Sequence, residues 1–178
     1  MKALLVIDAQ NVLINEKDFT EQLTHMKNII TDFKAKDLPV IFMRHVDDIE
    51  ESPFYRGSED SEIHPSFNND PDYMIEKQTP SSFFQTELAS LLEKLKVRQV
   101  FITGFNTEFC CMFTAISAFD RGYDVTFIED ATGSVNDENT YEMKGLDIPD
   151  FVGTALHWSN VIEVLMYEEY VEEYKGSL

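Results

Sequence analysis

Short, continuous apolar runs alternate with longer amphipathic stretches along the 178 residues, and this alternation limits the fold more tightly than any other feature. Residues 3–7 read Ala-Leu-Leu-Val-Ile with no polar interruption, as a strand buried on both faces requires. Residues 18–37 follow with Phe19, Leu23, Met26, Ile29, Ile30 and Phe33 on one helical stripe, which Leu38-Pro39 ends. The same reading predicts strands at 40–43, 73–75, 99–103, 125–128 and 161–164. It predicts helices at 84–95, 107–121 and 167–174, and a partial helix within 139–157 that Pro149 and Gly153 interrupt. Strands alternating with helices make βαβ units. The expected fold is therefore α/β, a three-layer α-β-α sandwich with a parallel, Rossmann-like central sheet. The length fits one domain over residues 1–178, without repeats or linkers.

Charge and cysteine usage narrow the function. Lys and Arg number 14 against 33 Asp and Glu, a formal charge of −19. Nucleic acids and anionic membrane surfaces need a basic face, so neither is an expected partner. The two cysteines, Cys110 and Cys111, are adjacent; Cα atoms about 3.8 Å apart fall short of the roughly 4.4–6.8 Å of a disulfide. Free thiols imply a reducing compartment, and the apolar run that Asp8 ends is too short for a signal peptide. The expected location is cytoplasmic.

In parallel sheets, ligands bind beyond the carboxyl ends of the strands. Asp8 follows the first predicted strand, His45 the second, Lys77 the third, and residues 104–110 the fourth, so all are expected on one edge. Cys110 lies in GFNTEFCC, in the first turn of a helix that Thr107 can cap. The partial positive charge there lowers a thiol pKa, and free backbone N–H groups can hold an oxyanion. A buried structural thiol is the competing reading. Asp8 can exchange a proton with a thiol or a leaving amine, and Lys77 can pair with Asp8. Taken singly, Asp8 reads more readily as a helix cap or turn former and Lys77 as a solvated loop lysine; their convergence carries the functional reading. Residues 44–72 form a long, weakly periodic segment, expected to be a functional loop over the site. Its Tyr55 and His64, together with Gln10, His45 and Phe84, are candidate substrate contacts. Phe83 is a wall or core residue. His45, Asp47 and His64 match no standard metal-ligand spacing, and no metal or cofactor is expected.

These residues resemble the isochorismatase-like cysteine hydrolases, a family that includes nicotinamidases, N-carbamoylsarcosine amidases and isochorismatases. Three blocks carry the resemblance: ALLVIDAQN (3–11), KQTPSSFFQTEL (77–88) and TGFNTEFCCMFTAISAFDRGYDVTFIEDATGS (103–134). The resemblance implies Asp8 as general base, Lys77 as its partner and Cys110 as nucleophile. It implies a cis peptide between Phe105 and Asn106, and an oxyanion hole from the backbone N–H groups of Asn106 and Cys110. The Asp-x-His metal motif of nicotinamidases is replaced by Arg44-His45-Val46-Asp47. Isochorismatases cleave a vinyl ether without a thiol, so Cys110 points to hydrolysis of a C–N bond in a small molecule. The alternatives are a thiol-independent vinyl ether hydrolase and a catalytically silent scaffold. Relatives of this kind form dimers or tetramers, so a homodimer or homotetramer is expected.

Overall fold

A computed structural model describes residues 1–67 and 70–178. Six parallel strands form the central sheet: β1 (Lys2–Ile7), β2 (Val40–His45), β3 (Tyr73–Lys77), β4 (Gln99–Phe105), β5 (Asp124–Gly133) and β6 (Glu163–Leu165). Their order is β3-β2-β1-β4-β5-β6, so the winding reverses between β1 and β4. That reversal opens a crevice at the carboxyl ends of these two strands. Asp8 follows β1 and the GFNTEFCC segment spans the end of β4, on either side of it.

Period-two alternation splits β1 between two cores. Ala3, Leu5 and Ile7 face the layer of α3 (Leu88–Lys94), α4 (Met112–Phe119) and α5 (Ile148–Trp158), against Leu88, Leu92, Ala115, Ala118, Val152 and Leu156. Leu4 and Val6 face the layer of α1 (Asn11–Ile14), α2 (Thr20–Lys34) and α6 (Tyr167–Glu173), against Met26, Ile29, Phe33 and Tyr170. Both faces are therefore apolar, which explains why β1 shows no polar alternation. Among the described residues, no helix is long and apolar enough to cross a membrane.

Several boundaries move. Strands β2 and β3 run on to His45 and Lys77, so these residues end strands rather than begin loops. The helix expected from residue 84 starts at Leu88, because Gln85 adopts a left-handed backbone (φ 56°) that a helix cannot include. Within 139–157, only Ile148–Trp158 is helical. Pro149 sits in its first turn, where the missing N–H costs nothing, and the Asp147 side chain accepts the N–H of Asp150. Gly153 does not break this helix. It lies inside it, where a Cβ would collide with the Glu129 carboxylate.

Among its described residues, the segment after β2 contains one short 3-10 turn, Pro65–Phe67, and no crossover helix. It leaves the carboxyl edge near His45. Its Ile63 and Phe67 join the core on the α2 face, and the Asp72 N–H returns to Val40 O at the start of β2. Asn68 and Asn69 of the predicted 44–72 loop lie outside the described residues.

Candidate active site

The site rests on a close contact between β1 and β4. Gly104 pairs with Ile7, and its φ of 121° together with the adjacent Ile7 backbone leaves no space for a Cβ. Beyond it, the Phe105–Asn106 peptide bond is cis. The chain then turns through one π-helical turn, Thr107–Cys111, into α4. The Asn106 carbonyl accepts the N–H groups of Phe109 and Cys111, both at 3.2 Å, and passes over Cys110. Thr107 does not cap the helix. Its buried hydroxyl donates instead to Thr132 Oγ1 at 2.9 Å, which donates to Glu129 O at 2.8 Å.

The carboxyl edge brings Asp8, His45, Lys77 and Cys110 into one cluster. Lys77 is fully buried and its Nζ is the hub. It donates to Asp8 Oδ2 at 2.7 Å, Cys110 Sγ at 3.2 Å and Thr79 O at 3.2 Å, and lies 3.2 Å from His45 Nδ1. Burial works against the ammonium, but Asp8 and Cys110 outweigh it and hold the Lys77 pKa above the ordinary lysine value. Burial and then the Lys77 charge lower His45, against weaker pulls from Asp8 and Asp47, so its ring is neutral at pH 7.

The Cys110 thiol does not follow the expectation from its helix position. Burial first, then the Asp8 carboxylate, push it well above the usual cysteine range, and Lys77 offsets only part of this. The resting group is a thiol whose proton needs an acceptor. Asp8 offers one: its Oδ1 is buried and has no hydrogen-bond partner, whereas Oδ2 is taken by Lys77. Cys111 is fully buried in the α4 core and is pushed up as well, first by burial and then by the neighbouring Cys110 and Asp8.

The remaining predicted contacts divide. Gln10 is buried and fully engaged. Its amide donates to His45 O at 2.8 Å and Ser61 O at 2.6 Å, and its oxygen accepts His45 N–H at 2.8 Å. It therefore ties β1, β2 and the loop together, with both amide N–H groups used and the side chain buried. The His64 ring accepts the Ser66 N–H at 3.3 Å, while the His64 backbone N–H donates to Ala9 O at 2.8 Å. Burial and Lys27 of α2 lower its pKa, which places it toward the α2 face. Tyr55 packs over Gly57 and bridges to Asp47; the loop aromatic that reaches the cluster is Phe54, edge-on to His45 at 4.8 Å. Phe84 is exposed, whereas Phe83 is core, stacked on Tyr123 with Arg121 over its face.

Among the described residues, one trio could share an ion: Asp8, His45 and Cys110, with donor atoms within 4.8 Å of one another. The Lys77 ammonium already contacts all three, so that space holds a cation of the chain's own. Asp47 and His64 do not join them.

Two side-chain roles have no counterpart in the sequence expectations, in which Asn106 serves only through its backbone N–H and Glu108 has no part. Asn106 Oδ1 accepts the Val135 N–H at 3.1 Å. Glu108 Oε1 accepts from Ser134 Oγ at 2.8 Å, Asn136 Nδ2 at 2.7 Å and Tyr141 OH at 3.1 Å. Together they clamp the segment after β5 onto the Cys110 turn. Glu108 stands in the quoted motif, but its partners lie 26–33 residues away, beyond any local pattern.

Comparison with known proteins agrees with this geometry. The family model described as the Isochorismatase domain matches residues 2–148. The chain belongs to the isochorismatase family. It is 34% identical to Nicotinamidase 3 of Arabidopsis thaliana over 156 residues, covering 76% of this chain and 75% of that one. It is also 30% identical, over 187 residues covering 88% of this chain and 94% of the relative, to an Arabidopsis protein described as an inactive nicotinamidase. A crystal structure of a candidate isochorismatase from Burkholderia xenovorans superposes with a TM-score of 0.87 at 28% identity, covering 98% of this chain and 88% of that one. The isochorismatase-like α/β fold is thereby shown, and the chain is an isochorismatase-family hydrolase.

Proposed function

We propose that this hydrolase cleaves a C–N bond of a small molecule, in an amide, carbamoyl or lactam group, through a thioester on Cys110. The observation that carries the reading is the buried Lys77 ammonium, bonded at once to Asp8 and Cys110, beside an unpartnered carboxylate oxygen.

Asp8 Oδ1 takes the Cys110 proton as the thiolate attacks the substrate carbonyl. The new C–S bond puts the carbonyl electron pair on oxygen. The N–H groups of Asn106 and Cys110 are the donors for that oxyanion; the Cys110 N–H is the one that the Asn106 carbonyl leaves out. As the tetrahedral intermediate collapses, the C–N bond breaks and protonated Asp8 gives its proton to the departing nitrogen, leaving a thioester. Asp8 then takes a proton from water, the hydroxide oxygen bonds to the acyl carbon, and the C–S bond breaks. Asp8 returns the proton to sulfur, so the site is restored with one water consumed. Lys77 keeps positive charge beside both the carboxylate and the thiolate throughout. The similarity to Nicotinamidase 3 supports amide chemistry. The substrate itself differs or binds differently, because the end of β2 and the start of the loop read Arg44-His45-Val46-Asp47 and His45 is bound into the lysine cluster.

The test is a screen of small amides, N-carbamoyl compounds and lactams against the wild type and Cys110→Ala. Turnover of at least one class, lost in Cys110→Ala, is expected. Turnover that survives the substitution overturns the thioester route.

A further inference from the structure

His45 takes no part in these proton transfers, yet its ring is fixed in the buried cluster. Gln10 grips its backbone on both sides, donating to its carbonyl and accepting its N–H, each at 2.8 Å. The Phe54 ring closes on it edge-on at 4.8 Å. Its Nδ1 lies 3.2 Å from Lys77 Nζ. An ammonium has only N–H groups to offer, so Nδ1 must present a lone pair and the ring proton sits on Nε2. The groups charged around the ring are Lys77 on β3, Asp8 after β1 and Asp47 in the loop, with the Cys110 thiol beside them.

Lys77 therefore faces four acceptors, Asp8 Oδ2, Thr79 O, Cys110 Sγ and His45 Nδ1, with three protons. Sγ and Nδ1 lie equally near Nζ, at 3.2 Å each, so they share the third N–H; while Cys110 is a thiol, sulfur is the weakest acceptor of the four and that N–H leans to His45. Once Asp8 has taken the thiol proton, sulfur is an anion and the strongest claimant for an N–H. We propose that His45 is a positioning residue for Lys77, a neutral acceptor that holds one N–H of the buried ammonium at rest and yields it to the Cys110 thiolate. Only hydrogen bonds change in this exchange. The proposal rests on the thioester reading in one respect, that Lys77 serves the thiolate. Without an acceptor at position 45 the third N–H has only the thiol sulfur at rest, whereas the thiolate state keeps bonds to Asp8, Thr79 and Cys110, so the thiol form alone loses support and the thiolate is reached more readily.

The test compares His45→Phe, which keeps a planar ring without an acceptor, with His45→Asn, whose amide oxygen can take the place of Nδ1. The probe is iodoacetamide, with peptide mapping of Cys110 across the neutral to alkaline range. His45→Phe should alkylate about tenfold faster at neutral pH, a displacement of the profile by roughly one pH unit toward acid. His45→Asn should recover to within about threefold of wild type. A wild-type pH profile or slower labelling in His45→Phe, or an equal acceleration in a folded His45→Asn, overturns the proposal. Imidazole 15N shifts of the wild-type protein test it even if His45→Phe does not fold: neutral with the proton on Nε2 is expected, and an imidazolium or an Nδ1–H ring at neutral pH overturns it. If wild-type Cys110 fails to label ahead of Cys111, the thioester reading falls, and this inference falls with it. If it labels normally and only the His45 results fail, the thioester reading stands.

Discussion

Lys77 Nζ lies 2.7 Å from Asp8 Oδ2, and the two side chains are 0% and 1% exposed. Each ion has lost its water, a cost of several kcal/mol per group, and what offsets it is the mutual attraction and the hydrogen bonds from the same lysine to Cys110 and Thr79. The site depends on an ion pair that is costly to break on one side only.

Lys77→Met should therefore unfold more easily by about 3–5 kcal/mol, because it leaves the Asp8 carboxylate buried and unpaired. Urea denaturation measures this. A loss below about 1 kcal/mol would mean that Asp8 and Lys77 are not held as buried charges.

Asp8→Asn separates two roles of one carboxylate. The Asp8 charge raises the Cys110 thiol, so its removal should lower that pKa and speed alkylation by iodoacetamide at neutral pH. The same substitution removes the proton carrier, and turnover should fall by roughly 10²–10⁴-fold. Faster labelling with lost turnover is the expected pair of results. Slower labelling with intact turnover would contradict both roles.

In the wild type, the raised Cys110 thiol means little thiolate at neutral pH. Alkylation should climb by about tenfold per pH unit through the mildly alkaline range, since only the thiolate reacts. Cys110 should label before the fully buried Cys111. A rate that levels off at or below neutral pH would point to a preformed thiolate.

Glu129 predicts a pH dependence of stability. Burial, then Asp150, Asp130, Asp147 and Glu169, push its carboxyl from 4.5 up to about 7. The folded state then binds the proton more tightly than the unfolded one, so stability falls as pH rises from about 4.5 to about 7 and stays lower above that. Glu129→Gln should match wild type in acid and exceed it at alkaline pH, by roughly 2–4 °C in Tm for each kcal/mol relieved. Thermal unfolding across pH decides it; parallel curves for the two proteins would remove Glu129 as the cause.

The sheet and the cluster were legible because both follow from one-dimensional patterns. Ala3 to Ile7 is apolar throughout since both faces of β1 are covered, and strands that end at Ile7, His45, Lys77 and Phe105 must deliver the next side chains to one edge. What escaped depends on pairings across long separations. Gln10 stands next to the β1 end and looks available, but His45 and Ser61, 35 and 51 residues away, take both N–H groups of its buried amide. Thr107 has the sequence of a cap, but its hydroxyl is taken by Thr132. The pKa of Cys110 was misjudged for the same reason: a helix start is a local feature, and the burial and the Asp8 carboxylate that dominate it are tertiary.

The most direct test of the account is rapid quench of the wild-type enzyme with a turned-over amide, followed by mass spectrometry of the peptide that carries Cys110. The account predicts an added acyl mass on Cys110, removable by hydroxylamine, absent from Cys110→Ala, and accumulating in any variant slowed in its water-attack step. Turnover by Cys110→Ala within about tenfold of wild type, where loss of a nucleophile should cost far more, would contradict it.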